Sequence, residues 1–231
     1  VRLYAIGDVH GCVGLLERML ARIVDDADRR RSVDRRLLVF LGDYIDRGPQ
    51  SRAVVDLLLD GLPAAFEPVF LMGNHEQMLT DGLADDEWFR QWRFNGADET
   101  LASYGLSSRQ LAGDPLTARR WAREMIGARH LKFFDELRLT YELGDYLMVH
   151  AGVRPGVPLA DQLPQDLLWI REPFLSSDEP FGRVIVHGHT PTRVPVVRSN
   201  RICLDTGAFR SGCLTAARFE GDEVDFISVG S

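Results

Sequence analysis

Five short motifs constrain this chain more than any other feature: GDVHG at 7–11, GDYIDRG at 42–48, GNHE at 73–76, VHAG at 149–152 and HGHT at 187–190. Each follows a short apolar run that reads as a β-strand, and each offers Asp, His or Asn. Oxygen and imidazole donors of this kind suit Mn, Fe or Zn. A parallel sheet presents ligands at the carboxyl ends of its strands, so five such ends brought to one edge make a metal site. The histidines sharpen the point. Of six in the chain, His10, His75, His150, His187 and His189 fall inside the motifs and only His130 lies outside. The three cysteines, Cys12, Cys203 and Cys213, lack CxxC spacing. They argue for a reducing compartment and against a thiolate zinc site, and read as small buried thiols.

Between the motifs the pattern alternates. RLYAI leads through GDVHG to a helix with Val13, Leu15, Leu16, Met19, Leu20 and Ile23 at helical spacing. LLVFLG at 37–42 is the next strand, followed by a helix that starts near Ser51 and ends at Gly61, and PVFLMG at 68–73 is the third. This βαβαβ rhythm predicts a parallel sheet with helices on its outer face. From about Met78 to Leu131 the rhythm gives way to helical content carrying Trp88, Trp92, Phe94 and Trp121, which we expect to serve packing. We take 82–130 as a helical insertion within a single domain spanning 1–231. Strands then return as YLMVHAG, RVIVHGH, RICLDTG, CLTAARFEG and EVDFISV, with Gly221-Asp222 turning the last pair.

Composition limits the partners. A 231-residue chain that is 45% hydrophobic sustains one sizeable core. No segment approaches the roughly eighteen apolar residues of a membrane span, and no apolar leader precedes RLYAI, so no membrane partner is expected and the expected location is cytoplasmic. A net charge of −7 disfavours nucleic acid. The run Arg29 to Arg31 with Arg35 and Arg36 is interleaved by Asp25, Asp26, Asp28 and Asp34 and reads as a solvated loop.

GD-x-HG, GD-xx-DRG, GNHE, HAG and GHT in this order resemble the calcineurin-like metallophosphoesterases, and within them the phosphoprotein phosphatase branch. LLWIRE at 167–172, GHTP at 188–191, LDTGA at 204–208 and the following LTAARFEGD carry the likeness to its compact bacterial and bacteriophage lambda serine/threonine members. The resemblance implies an α/β fold of two packed mixed β-sheets flanked by helices, an αββα sandwich. It implies a metal-dependent phosphomonoesterase acting on a phosphoprotein or phosphopeptide at phosphoserine or phosphothreonine. Two divalent ions follow, Mn2+ first, with Fe or Zn as alternatives. On the family pattern Asp8, His10 and Asp43 hold one ion, while Asp43, Asn74, His150 and His189 hold the other. Asp43 bridges the two, and a hydroxide shared by the ions attacks phosphorus in line.

The same resemblance gives Arg47 and Arg171 the phosphoryl oxygens, with Asn74 beside them; a guanidinium matches two oxygens at once. It makes His75 the proton donor to the leaving oxygen, with Asp46 on its other ring nitrogen. Pro191 stands where many family members have a further histidine, which implies a weakly held first metal that added manganese restores. His187 is expected behind the ligands or in the core, Asp205 in a turn, and Glu76 orienting the GNH loop or capping the helix after it.

Two other readings compete. Symmetrical diadenosine tetraphosphatases, hydrolases of dinucleoside polyphosphates, share the scaffold. Their branch typically lacks the Asp of DRG and ends its third motif in GNHD, so Asp46 and Glu76 favour the protein phosphatase. A non-catalytic phosphoprotein-binding module fits poorly with a complete ligand set and acid pair.

Overall fold

The computed structural model describes residues 1–31 and 33–230. Its first third realises the βαβαβ pattern: β1 (Arg2–Ile6), α1 (Val13–Asp28), β2 (Arg36–Phe40), α2 (Ser51–Asp60) and β3 (Glu67–Phe70). A helical block follows, comprising α3 (Asn74–Ala84), α4 (Asp86–Trp92), a π-helical turn (Arg93–Ala97), α5 (Asp98–Ser103), α6 (Ser108–Leu111) and α7 (Pro115–Asp135). The remainder is β4 (Thr140–Leu143), β5 (Tyr146–Val149), a 3-10 turn (Leu159–Asp161), α8 (Pro164–Trp169), β6 (Val184–His187), β7 (Val196–Val197), β8 (Arg201–Cys203), α9 (Ala208–Ser211), β9 (Cys213–Glu220) and β10 (Glu223–Gly230).

The strands form two five-stranded sheets, ordered β10-β9-β1-β2-β3 and β4-β5-β6-β8-β7. In the first, β1, β2 and β3 are parallel, while β9 runs antiparallel to β1 and β10 to β9. In the second, β5, β6 and β8 are parallel, with β4 and β7 antiparallel at the edges. Both sheets are therefore mixed, and helices flank them as an αββα sandwich. The βαβαβ run forms the parallel part β1-β2-β3 as expected, and β9 and β10 extend that sheet antiparallel beside β1, giving the mixed sheet that the resemblance implies. The short strands β4 and β7 were not expected, because TYEL and VV are too brief to show a period.

Alternation along the strands sorts the core into layers. Leu3, Ala5, Leu37 and Val39 point between the sheets and meet Met148, Val186, Ile202 and Leu204. Their neighbours Tyr4, Ile6, Leu38 and Phe40 face the other way, onto Leu16, Met19 and Ile23 of α1 and Val54, Val55 and Leu58 of α2. The outer face of the second sheet packs Leu147, Val149 and Ile185 against Leu167 and Phe174.

Two buried arginines on the inner strands β1 and β9 brace the first sheet, and Arg2 also reaches α1. Arg2 gives Nε and Nη2 to Glu220 at 2.8 and 2.9 Å and reaches the carbonyls of Ala27 and Arg31. Arg218 pairs with Glu220 and Asp225. As expected, Arg29 to Arg31 form an exposed loop just after α1, with Arg29 and Arg30 folding back on Asp25 and Asp26, whereas Arg36 opens β2. Of the aromatics expected to pack, Trp92 is fully buried and Trp121 rests on the core, but Trp88 is 41% and Phe94 89% exposed. Helical spacing alone does not say which face of a short helix has a neighbour.

Leu37→Ala removes a fully buried side chain between the sheets, and we expect a loss of about 2–5 kcal/mol in urea unfolding, whereas Leu116→Ala on the surface should cost roughly 0.5 kcal/mol or less.

Candidate metal centre

All five motifs sit where a strand ends. Asp8 and His10 follow β1, Asp43, Asp46 and Arg47 follow β2, and Asn74 and His75 open α3 after β3; His150 follows β5 and His189 follows β6. The loops turn sharply. His10, Asp43, Asp46, Arg47 and His189 all have left-handed backbone, with φ of 44°, 52°, 68°, 67° and 63°, and among the described residues they are the non-glycine positions that do. Such conformations are costly for L-residues and persist where surrounding structure over-determines them.

The result is a buried cluster with a shared member. Ligand-type atoms of His10, Asp43 and His75 lie within 4.8 Å of one another, and so do those of Asp43, His150 and His189. Asn74 Oδ1 is 2.9 Å from both His150 Nε2 and His189 Nδ1. Asp8 belongs to neither tight triad. Its Oδ2 accepts from the His189 backbone N–H at 3.0 Å, and its Oδ1 is buried without a hydrogen-bond partner.

Backbone carbonyls fix how the rings present themselves. His10 Nδ1 lies 2.8 Å from the Ile45 carbonyl and His150 Nδ1 2.8 Å from the Leu41 carbonyl. Each nitrogen must carry the proton, which leaves Nε2 of both rings as a lone pair. Those lone pairs point at oxygen: His10 Nε2 is 3.3 Å from Asp43 Oδ2, and His150 Nε2 is 3.4 Å from Asp43 Oδ1. Lone pair facing lone pair is repulsive unless a cation lies between. Arg47 meets part of this need, with Nη1 3.1 Å from His10 Nε2.

Electrostatics point the same way. Burial, then the neighbouring carboxylates of Asp205 and Asp43, push Asp8 well above its ordinary value. Burial lowers His10 to about 3 and lowers His150 and His189, keeping these imidazoles neutral and ligand-competent. A β-carbon on Gly188 would stand 2.0 Å from Asp8 Oδ1, so the loop closes on this carboxylate only as glycine. Hard oxygens, neutral nitrogens, unshared lone pairs and crowded negative charge together fit divalent ions.

His75 behaves differently from the other rings. Its Nδ1 meets Asp46 Oδ2 at 2.6 Å, while Nε2 is buried without a partner. Burial alone would lower it, but Asp43 and the Asp46 bond outweigh burial and raise it. Asp46 is in turn saturated by neutral donors. Trp92 Nε1 donates to Oδ2 at 2.8 Å and the Thr100 hydroxyl to Oδ1 at 2.6 Å, while the Asp46 N–H donates to the hydroxyls of Thr100 and Ser51. Trp92 and Thr100 lie on α4 and α5, 46 and 54 residues from Asp46. Sequence reasoning missed both, since nothing local marks them.

The other candidates are placed as follows. Arg47 stacks on Phe209 at 5.1 Å, and Phe209 also meets the His10 ring edge-on at 5.3 Å. Arg171 is exposed, near enough to His189 to lower it, and has no ion pair to Glu172 or Glu179 among the described residues. His187 is buried against Phe174, outside both triads. Asp205 accepts from the Gly207 N–H at 2.8 Å, as a turn residue would, and also crowds Asp8.

A calcineurin-like phosphoesterase family model matches residues 1–230. The chain belongs to that family. Among its relatives, the bis(5'-nucleosyl)-tetraphosphatase PrpE (asymmetrical) of Bacillus thuringiensis is 25% identical, with 98% of this chain and 93% of the relative aligned. Serine/threonine-protein phosphatase 1 of Salmonella typhimurium is 29% identical over 94% of this chain and 92% of its own. In fold, the chain is similar to a protein serine/threonine phosphatase from Saccharomyces cerevisiae, with a TM-score of 0.61 at 16% identity over 100% of this chain and 80% of that one. The chain is therefore a metallophosphoesterase, and these relatives divide between two substrate classes.

Gly188→Ala should abolish metal retention, read as metal per chain after desalting, while circular dichroism stays that of the folded protein; full metal content in this variant would remove Asp8 from the centre.

Proposed function

We propose that this protein is a metal-dependent phosphomonoesterase acting on phosphoserine or phosphothreonine in a peptide or protein. The observation that carries the reading is the His75–Asp46 pair, with a 2.6 Å bond and a buried, unpartnered Nε2. A serine or threonine alkoxide is a poor leaving group and needs a proton as the bond to phosphorus breaks. A nucleotide leaving from a polyphosphate is already a stable anion near neutral pH, and such a donor would stand idle.

In this reading Asp8, His10 and Asp43 hold one divalent ion and Asp43, Asn74, His150 and His189 the other. Manganese is the ion we favour, because the ligand set is oxygen and imidazole and lacks a further histidine at Pro191. When bound, such ions supply Lewis-acid activation of water and of the phosphoryl oxygens. Arg47 and Arg171, with Asn74, would orient the phosphoryl group, and Arg47 Nη1 lies 3.1 Å from His10 Nε2, beside the residues that would hold the ions. His75 Nε2 delivers the proton, and Asp46 holds the imidazolium in place. Trp92 and Thr100 position Asp46 without charge of their own, so the carboxylate keeps its full effect on His75. The free thiols Cys12, Cys203 and Cys213 support a cytoplasmic location. No helix among the described residues is long and apolar enough to cross a membrane. We treat 1–231 as one domain with 82–130 as its helical insertion.

Dinucleoside polyphosphate hydrolysis is the second reading, supported by the name of the Bacillus relative, which specifies the asymmetrical rather than the symmetrical activity.

Manganese-dependent turnover of a phosphothreonine peptide and of diadenosine tetraphosphate, measured side by side, decides between them. We expect preference for the peptide and loss of that activity in His75→Asn; preference for the dinucleotide would move the function to nucleotide hydrolysis. Asp46→Asn should lower kcat on the peptide about 100-fold or more but on p-nitrophenyl phosphate only a few-fold, since the aryl oxide leaves unaided. Trp92→Phe should follow the same pattern with a smaller loss, roughly tenfold on the peptide. Equal losses on both substrates would remove His75 from the acid role.

A further inference from the structure

Beside the metal centre lies an open cavity of about 430 Å3, lined by Glu87, Trp88 and Gln91 of α4 and Gln165 and Trp169 of α8. Glu87 and Gln91 are four residues apart, as are Gln165 and Trp169, so each helix turns one face toward it. Trp169 is held in place. Its Nε1 donates to Gln77 Oε1 at 2.7 Å, and its ring centre is 6.4 Å from that of His189. Trp88 also lines the cavity and is 41% exposed. Asp86 is paired with Arg119, but Glu87 has no ion pair among the described residues.

Two indoles and an unengaged carboxylate are the elements of a cation site, because indole faces are negative and tryptophan is the strongest aromatic partner for a cation. We propose that this slot holds the guanidinium of an arginine flanking the phosphorylated residue of a peptide substrate. The inference rests on the phosphopeptide reading above. A planar guanidinium stacks on indole while its edge donates to Glu87 and to the amide oxygens of Gln91 and Gln165. An extended peptide advances about 3.3–3.6 Å per residue, so with the phosphoryl group beside His189 the slot receives a side chain one to three residues away. A nucleobase would also stack there. It would, however, draw its remaining phosphates across a lining that contains Glu87 and no cation.

The test uses phosphothreonine peptides that differ only by Arg, Ala or Glu at each of the three positions on either side, with the manganese-loaded wild type, Trp88→Ala and Glu87→Gln. At one flanking position the Arg peptide should have a KM about tenfold below the Ala peptide, with the Glu peptide poorest. Each variant should bring the Arg to Ala ratio to within about twofold, leaving kcat on the Ala peptide as it was. Turnover of the Ala peptide with no Arg preference at any position, or a preference that survives both variants, overturns the slot alone. A rise in KM for diadenosine tetraphosphate in Trp88→Ala, with peptide ratios unchanged, gives the slot to a nucleobase and also overturns it. No turnover of any peptide overturns the phosphopeptide reading and the slot with it.

Discussion

The Glu76 carboxylate is the joint on which the rest of the centre depends. Its two oxygens accept backbone N–H groups from Gly73, Asp43, Tyr44 and Ile45 at 2.8–3.3 Å, in a position with no exposure to solvent. Two motif loops that belong to different strands are thereby locked together. The lock also turns the N-terminus of α3 toward Asp43, whose Oδ1 accepts the His75 N–H at 3.1 Å. Helix N-termini carry unshared N–H groups and a positive potential, so a carboxylate there is satisfied without a charged side chain. Gly73 is needed for the same reason, since a β-carbon would stand 2.2 Å from Asp43 Oδ1 and 2.7 Å from Glu76 Oε2. The two roles considered for Glu76, orienting the GNH loop and capping the helix, are one role.

Much of this was legible in the sequence because strand ends and metal-type residues coincide in it. Asp8, His10, Asp43, Asn74, His75, His150 and His189 converge as their motifs implied, since a parallel sheet leaves its strand-end loops no other edge to occupy. The grouping within the cluster was not legible. Geometry groups His75 with His10 and Asp43 and joins Asp8 to the His189 backbone outside both triads, and backbone contacts leave no trace in residue type. Trp92 and Thr100 were hidden for another reason. Each looks locally like a packing or helix-surface residue, and its bond to Asp46 exists only once α4 and α5 fold back over the β2 loop.

The strand reading failed where length removed the period. RLYAI, LLVF and VIVH carry enough apolar residues to register, whereas β4 and β7 borrow their conformation from the neighbours they pair with. The aromatic expectation failed because burial changes along α4 and past its end: Trp92 in its last turn is buried, while Trp88 in its first turn and Phe94 in the turn that follows are exposed. Trp88 and Trp92 share one face a turn apart, and along that face the first borders the cavity while the second reaches Asp46.

That division of α4 sets the proposed slot beside the groups that hold Asp46. The helix is seven residues long and its N-terminus is fixed by Asp85, which accepts the N–H groups of Glu87 and Trp88 at 2.8 and 3.1 Å. Trp88 borders the proposed slot, whereas Trp92, one turn on, carries the bond to Asp46, so truncating Trp88 leaves the carboxylate behind His75 in place. Binding energy gathered in the slot would then appear in KM rather than in kcat, because it is felt equally in the bound substrate and the transition state.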